Sequence, residues 1–95
     1  MSFEWDDKKN KDNVEKHGIR FEDACELFKY PHLTFTDDRF DYGEIREISI
    51  GRIARDVKIA IVYTKRDENI RIISARKANA RERKNYDDYI KTTTG

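Results

Sequence analysis

The sequence predicts an α+β domain: two N-terminal helices, a four-stranded antiparallel sheet meander and a C-terminal helix. Three observations carry that prediction. Cap and stop signals bracket two helical segments before Pro31, the apolar period becomes two between Leu33 and Arg76, and an Asn79/Glu82 pair then opens a last stripe at helical spacing. With 95 residues, 12% of them aromatic and 41% charged, the chain can bury one modest core under a heavily charged surface, and no second one. Residues 1–95 therefore read as a single domain.

Phe3-Glu4-Trp5 alternates as a short strand would, and Asp6 or Asp7 then offers a carboxylate to cap a helix running to about His17. Lys16 and His17 suit the negative end of that helix, and Gly18 suits the left-handed position just past it. Phe21 to Phe28 forms a second short helix with Ala24, Leu27 and Phe28 on one face, stopped by Tyr30-Pro31. Leu33 and Phe35 alternate as the first strand of the meander, followed by a polar turn through Asp37, Asp38, Arg39, Asp41 and Gly43. Glu44–Ile50, Val57–Lys65 and Asn69–Arg76 supply three more strands, joined by loops over Gly51–Asp56 and Arg66–Glu68. The last two are apolar on both faces in their middles and should be central. Asn79 with Glu82 forms a capping box, and Tyr86, Tyr89 and Ile90 carry the final helix's apolar stripe, with fraying expected from Thr92 to Gly95.

The longest apolar run, Ile59 to Tyr63, is far too short to span a membrane, and Met1–Asn10 lacks a signal-peptide pattern, so a cytoplasmic location is expected. A lone Cys25 with only His17 and His32 predicts neither an internal disulfide nor a metal site, and no cofactor motif is present. The net charge of +1 hides an asymmetry. Residues 1–56 carry 10 basic and 14 acidic side chains, and residues 57–95 carry 10 and 5. A basic C-terminal half is the footprint of a polyanion or simply the coat of a charged helix.

Those elements coincide with residues that resemble a known family. Phe3-Glu4-Trp5-Asp6, Lys9, Asn13 and Lys16-His17-Gly18-Ile19, then Phe21-Glu22-Asp23-Ala24, Gly43-Glu44-Ile45-Arg46 and Val62-Tyr63-Thr64, then Arg71-Ile72-Ile73-Ser74-Ala75-Arg76-Lys77-Ala78 with Glu82-Arg83, are similar to the BrnT toxins of bacterial type II toxin-antitoxin systems. The resemblance covers almost the whole chain. It implies a RelE-like fold, a ribonuclease that inhibits translation by RNA cleavage, and neutralisation by a small dimeric ribbon-helix-helix antitoxin of the BrnA type. A two-plus-two complex follows, in which the antitoxin alone contacts DNA.

Metal-independent RNA cleavage needs a base for the 2′-hydroxyl, an acid for the leaving oxygen and cations against charge building at phosphorus. Arginines fill the third role, while base or acid work falls to His17, Lys77, a tyrosine or Glu44. Arg76 leads as the phosphate binder, with Lys77, Arg66 at the end of the preceding strand, Arg83 from the family's Glu-Arg pair, and His17 as the further catalytic candidates. The competing reading of Arg76 and Lys77 is a salt bridge to Glu44 or Asp6. Arg71, Arg81 and Lys84 are the RNA-binding candidates. Tyr63 and Tyr86 read as core residues with satisfied hydroxyls. The alternative function is a non-catalytic nucleic-acid-binding or protein-interaction module; direct DNA binding is disfavoured by the lack of a helix-turn-helix turn or basic arm.

Overall fold

The computed structural model describes residues 2–39, 41 and 43–94. The first segment already sets the pattern: Ser2–Glu4 is strand β1, Asp6 caps helix α1 (Asp7–His17) by accepting from the Lys8 and Lys9 amides at 2.9 and 3.1 Å, and Gly18 closes it at φ 72°. The Gly18 amide donates to the Val14 carbonyl at 2.8 Å. The expected second helix is shorter than its apolar face suggested: α2 spans only Phe21–Ala24, and Cys25–Lys29 tightens into a 3-10 turn. The turn buries Leu27 and aims Phe28 at Tyr63 and Phe3, with centroids 5.2 and 5.4 Å away.

Strands β2 (Leu33–Asp37), β3 (Arg46–Ile53), β4 (Val57–Arg66) and β5 (Asn69–Lys77) form the expected antiparallel meander. Two corrections apply. The sheet has five strands in the order β1-β5-β4-β3-β2, because β1 pairs parallel to β5 with Phe3 opposite Ile70. It is thus mixed, not purely antiparallel. β3 also starts later and runs longer than expected, through Gly51 and Ile53. Gly51 pairs with Ile59 and Ile53 with Val57, and a Cβ at Gly51 would stand 2.8 Å from Leu27 Cγ and 3.1 Å from His32 Cβ. The missing side chain lets the 3-10 turn lie directly on the strand.

β4 is buried on both faces along its middle, as its sequence implied. On one face Ile59, Ile61 and Tyr63 join Ile70, Ile72 and Ala75 of β5 beneath Ile19, Phe21, Ala24 and Leu27. On the other, Ala60 and Val62 join Ile48 and Ile50 beneath Ala78 and Tyr86. β5 changes facing partway, since Val62 lies opposite Ser74 but Tyr63 opposite Ile72, leaving Ile73 with no residue across from it. This bulge turns Ala75 toward α1 and Arg76 toward the last helix.

That helix, α3 (Ala80–Thr94), begins with the expected capping box: the Glu82 amide donates to Asn79 Oδ1 at 2.8 Å and the Asn79 amide to Glu82 Oε1 at 2.9 Å. Its end does not fray where expected. Thr92 and Thr93 remain helical, their hydroxyls donating to the carbonyls of Asp88 and Tyr89. Gly95 lies outside the described residues.

Candidate active site

Arg76 leaves β5 on the α3 side, in the cross-strand row it shares with Ala60, Ile50 and Leu33. Its guanidinium donates from Nη1 to Glu82 Oε1 at 2.7 Å and from Nη2 to Glu82 Oε2 at 2.9 Å. The fork is two-pronged and partly buried, the geometry in which arginine and carboxylate hold each other most firmly. Arg76 holds the Glu82 carboxyl below its usual range, and Glu82 in turn raises Arg76. Glu82 is fixed from both sides, because the oxygen facing Arg76 Nη1 also takes the Asn79 amide. The fork leaves the Nε edge of Arg76 pointing away from Glu82.

A second arginine stands near this pair. Arg39, in the turn after β2, grips the buried Asp37 carboxylate through Nε at 2.8 Å and Nη2 at 3.0 Å, and its charge is felt by both Arg76 and Glu82. Beside them opens a groove of about 510 Å³ between β2, β3 and the first turns of α3. Leu33, Phe35 and Ile50 give it an apolar floor; Asn79, Arg81, Glu82 and Asn85 form its polar wall. Phe35 is 44% exposed there.

The sequence-derived candidates separate into groups. Arg81 lines the groove, and Arg76 reaches its wall through Glu82. Lys77 is exposed at the end of β5, opposite Ile59, and faces the other side of the sheet. Arg83 folds back to donate to the Ala78 carbonyl at 2.7 Å, bracing the β5–α3 junction. Lys84 pairs along the helix with Asp88 at 2.9 Å, and Arg71 reaches Glu4 across the β1–β5 pair at 3.5 Å. Arg66 lies opposite Asn69 at the other end of β4, six residues from the level of Arg76, or about 20 Å at strand rise. There it meets Glu44 at 3.5 Å, and Glu44 also meets Arg46 at 3.6 Å. The competing salt-bridge reading of Arg76 is met in kind but not in partner: Arg76 pairs with Glu82, not with Glu44 or Asp6.

His17 ends α1 at the free edge of β5, in a shallow recess with Lys9, Lys16, Ile73 and Ser74. It is not brought together with Arg76. Asn13, one turn earlier, is buried and structural: its amide donates to the carbonyls of Ile19 (2.9 Å) and Ala75 (2.8 Å) and its oxygen accepts from the Ala75 amide (3.1 Å). One side chain thus pairs with the β5 edge where β1 has ended. Tyr63 is buried with its hydroxyl 2.8 Å from Ser49 Oγ, which lies 2.8 Å from Thr34 Oγ1. Burial pushes the Cys25 thiol up to about 11, far from thiolate chemistry. Among the described residues, no three His, Cys, Asp or Glu side chains gather as a metal site would require, and no helix is long and apolar enough to cross a membrane.

Arg39, Phe35 and Asn85 were missed in the sequence. Arg39 sits in what reads as a polar turn, Phe35 in an ordinary alternating strand, and Asn85 on a helix face without a pattern. Only the fold brings Phe35 and Asn85 to one groove and Arg39 within electrostatic reach of Arg76 and Glu82.

Fold and site together define a class: a small α+β domain with an arginine-bearing groove between one sheet face and the start of its last helix. The profile of a ribonuclease toxin family, BrnT of type II toxin-antitoxin systems, matches residues 5–82, so the chain belongs to the BrnT toxin family. The crystal structure of the Brucella abortus ribonuclease toxin BrnT is similar, with a TM-score of 0.66 and 26% identity over 83% of this chain and 97% of that one. No curated protein sequence matches the chain.

Proposed function

We propose that this chain arrests translation by cleaving RNA at the α3 face of the sheet, with Arg76 as the group that binds the scissile phosphate. The observation that supports this reading is the Arg76–Glu82 fork at 2.7 and 2.9 Å beside an open groove. A guanidinium clamped at one edge by a carboxylate loses little further freedom when its other edge meets a phosphate, so it is preorganised for charge that grows at phosphorus. Glu82 is a positioning residue in this scheme. Arg81, on the groove wall, adds a second cation for the RNA backbone.

Cleavage proceeds without a divalent metal, the arginines supplying the positive charge that a metal would otherwise bring. The partner is a BrnA-like, dimeric ribbon-helix-helix antitoxin in a two-plus-two assembly within the cytoplasm. It inhibits by laying acidic side chains over the same groove. The experiment is expression of the chain alone in bacteria, with RNA cleavage assayed on purified protein in excess EDTA. Growth arrest and persisting cleavage are expected, both lost in a folded Arg76→Ala protein. Equal toxicity of Arg76→Ala would remove Arg76 from the site, and cleavage that appears only with added magnesium or manganese would overturn the metal-free scheme.

A further inference from the structure

We propose that the groove between β2 and the start of α3 is a nucleobase pocket, in which Phe35 stacks on one base of the RNA and Asn85 reads that base's hydrogen-bonding edge. The inference rests on the reading of the chain as an RNA-cleaving protein and adds what determines where it cuts. Four observations carry it. At about 510 Å³ the groove falls within the range of about 300–1,000 Å³ typical of small-molecule sites. Its floor is apolar, and Phe35 projects from an edge strand with 44% of its surface open, leaving ring surface accessible to a stacking base. Its wall holds carboxamides at Asn79 and Asn85, and an amide that both donates and accepts suits a base edge. Asn79 is already committed to capping α3 through its side-chain oxygen, which leaves Asn85 as the reader.

Charge complementarity selects a nucleotide over other flat ligands. Arg81 lines the groove itself, and Arg76 meets Glu82 on its wall. A base seated against Phe35 would carry its own phosphate toward those guanidinium groups, beside the proposed reacting centre. The Glu82 carboxylate does not oppose this, because Arg76 takes both of its oxygens. Stacking on an aromatic ring gives affinity for any base, whereas one amide contact discriminates among them. The two residues therefore have separable roles: Phe35 for binding, Asn85 for choice.

Two measurements separate the pocket from the activity. In the first, the four nucleoside 3′-monophosphates are titrated into the protein and followed by NMR. The Phe35 ring and the Asn85 side-chain amide should shift, one base should bind most tightly, and Phe35→Ala should weaken that binding about tenfold. Shifts confined to the arginines, equal for all four nucleotides, would mean phosphate binding alone and overturn the pocket. In the second, a random-sequence RNA is cut and its ends sequenced. The chain should favour one base beside the cut, and Asn85→Ala should flatten that preference. If RNA is cut but neither the preference nor the shifts depend on these residues, the pocket fails and the ribonuclease reading stands. If the nucleotides bind as described and no RNA is cut, the pocket stands and the activity fails.

Discussion

The two faces of the sheet are held by different chemistry. On the α1–α2 side, large apolar side chains at 0–8% exposure are packed beneath a helix whose buried Asn13 is bonded to the backbone of β5. On the α3 side the cluster is smaller, and the helix start is joined to the sheet by the Arg76–Glu82 fork instead of by apolar contact. Adjacent residues of one strand serve both: the Ala75 backbone anchors Asn13, while the Arg76 side chain crosses to Glu82. The difference teaches that the first face supplies stability, leaving the second free to keep an open groove and charged groups that a well-filled core would exclude.

The sharpest way to break this comparison is to remove bulk from each face. Phe21→Ala, at a fully buried position of the first face, should destabilise the protein by about 3–5 kcal/mol in urea unfolding, enough to threaten folding at this size. Ile90→Ala, at a partly buried position of the second, should cost far less. Similar losses at the two positions would show that the faces share the load. Arg76→Ala inverts the pattern. It should lower RNA cleavage by about 10²–10³, as loss of one positioned cation does at other reacting centres. Its unfolding midpoint should move less than that of Phe21→Ala.

Gly51→Ala tests the first face from the strand side. The new methyl meets Leu27 Cγ, and the resulting overpacking should cost about 1–3 kcal/mol by thermal unfolding, with little change in cleavage. The second face should instead show itself in acid. Glu82 has its folded pKa held below its ordinary 4.5 by Arg76, so its contribution is present above about 4.5 and is lost as pH falls through the folded value. Glu82→Gln should flatten that acid limb of the stability curve while leaving the neutral region nearly parallel. An unchanged limb would place the acid-sensitive pair elsewhere. The smallest effect is expected at the rim: charge reversal at Arg81 and Lys84 should slow association of the antitoxin several-fold and reduce its salt dependence, with a lesser change in the dissociation rate. A salt dependence unchanged by the reversal would put the antitoxin on the acidic N-terminal half.

Local signals determined much of this protein without help from the fold. Asp6, Gly18, Asn79 and Glu82 mark helix ends through contacts only a few residues long, and the unbroken apolar run from Ile59 to Tyr63 dictates a strand buried on both faces. The long blocks Lys16-His17-Gly18-Ile19 and Arg71 to Ala78 likewise pointed to the family, because they specify particular residues and not merely a pattern. Tertiary structure alone decided the rest. Parallel pairing of Ser2–Glu4 with Asn69–Arg71 joins segments over sixty residues apart and has no turn to announce it. The 3-10 turn that continues the second helix is seated on Gly51 of a distant strand, a contact with no local signal. The site depended on the same kind of distance. A bulge at Ile73 chose which face Arg76 would take, sending it to Glu82, whereas Arg66, equally basic in sequence, was carried to the opposite end of the sheet. Charge and periodicity are properties of residues and short segments, but a site is a property of neighbours, and β pairing sets neighbours across spans that no local signal records.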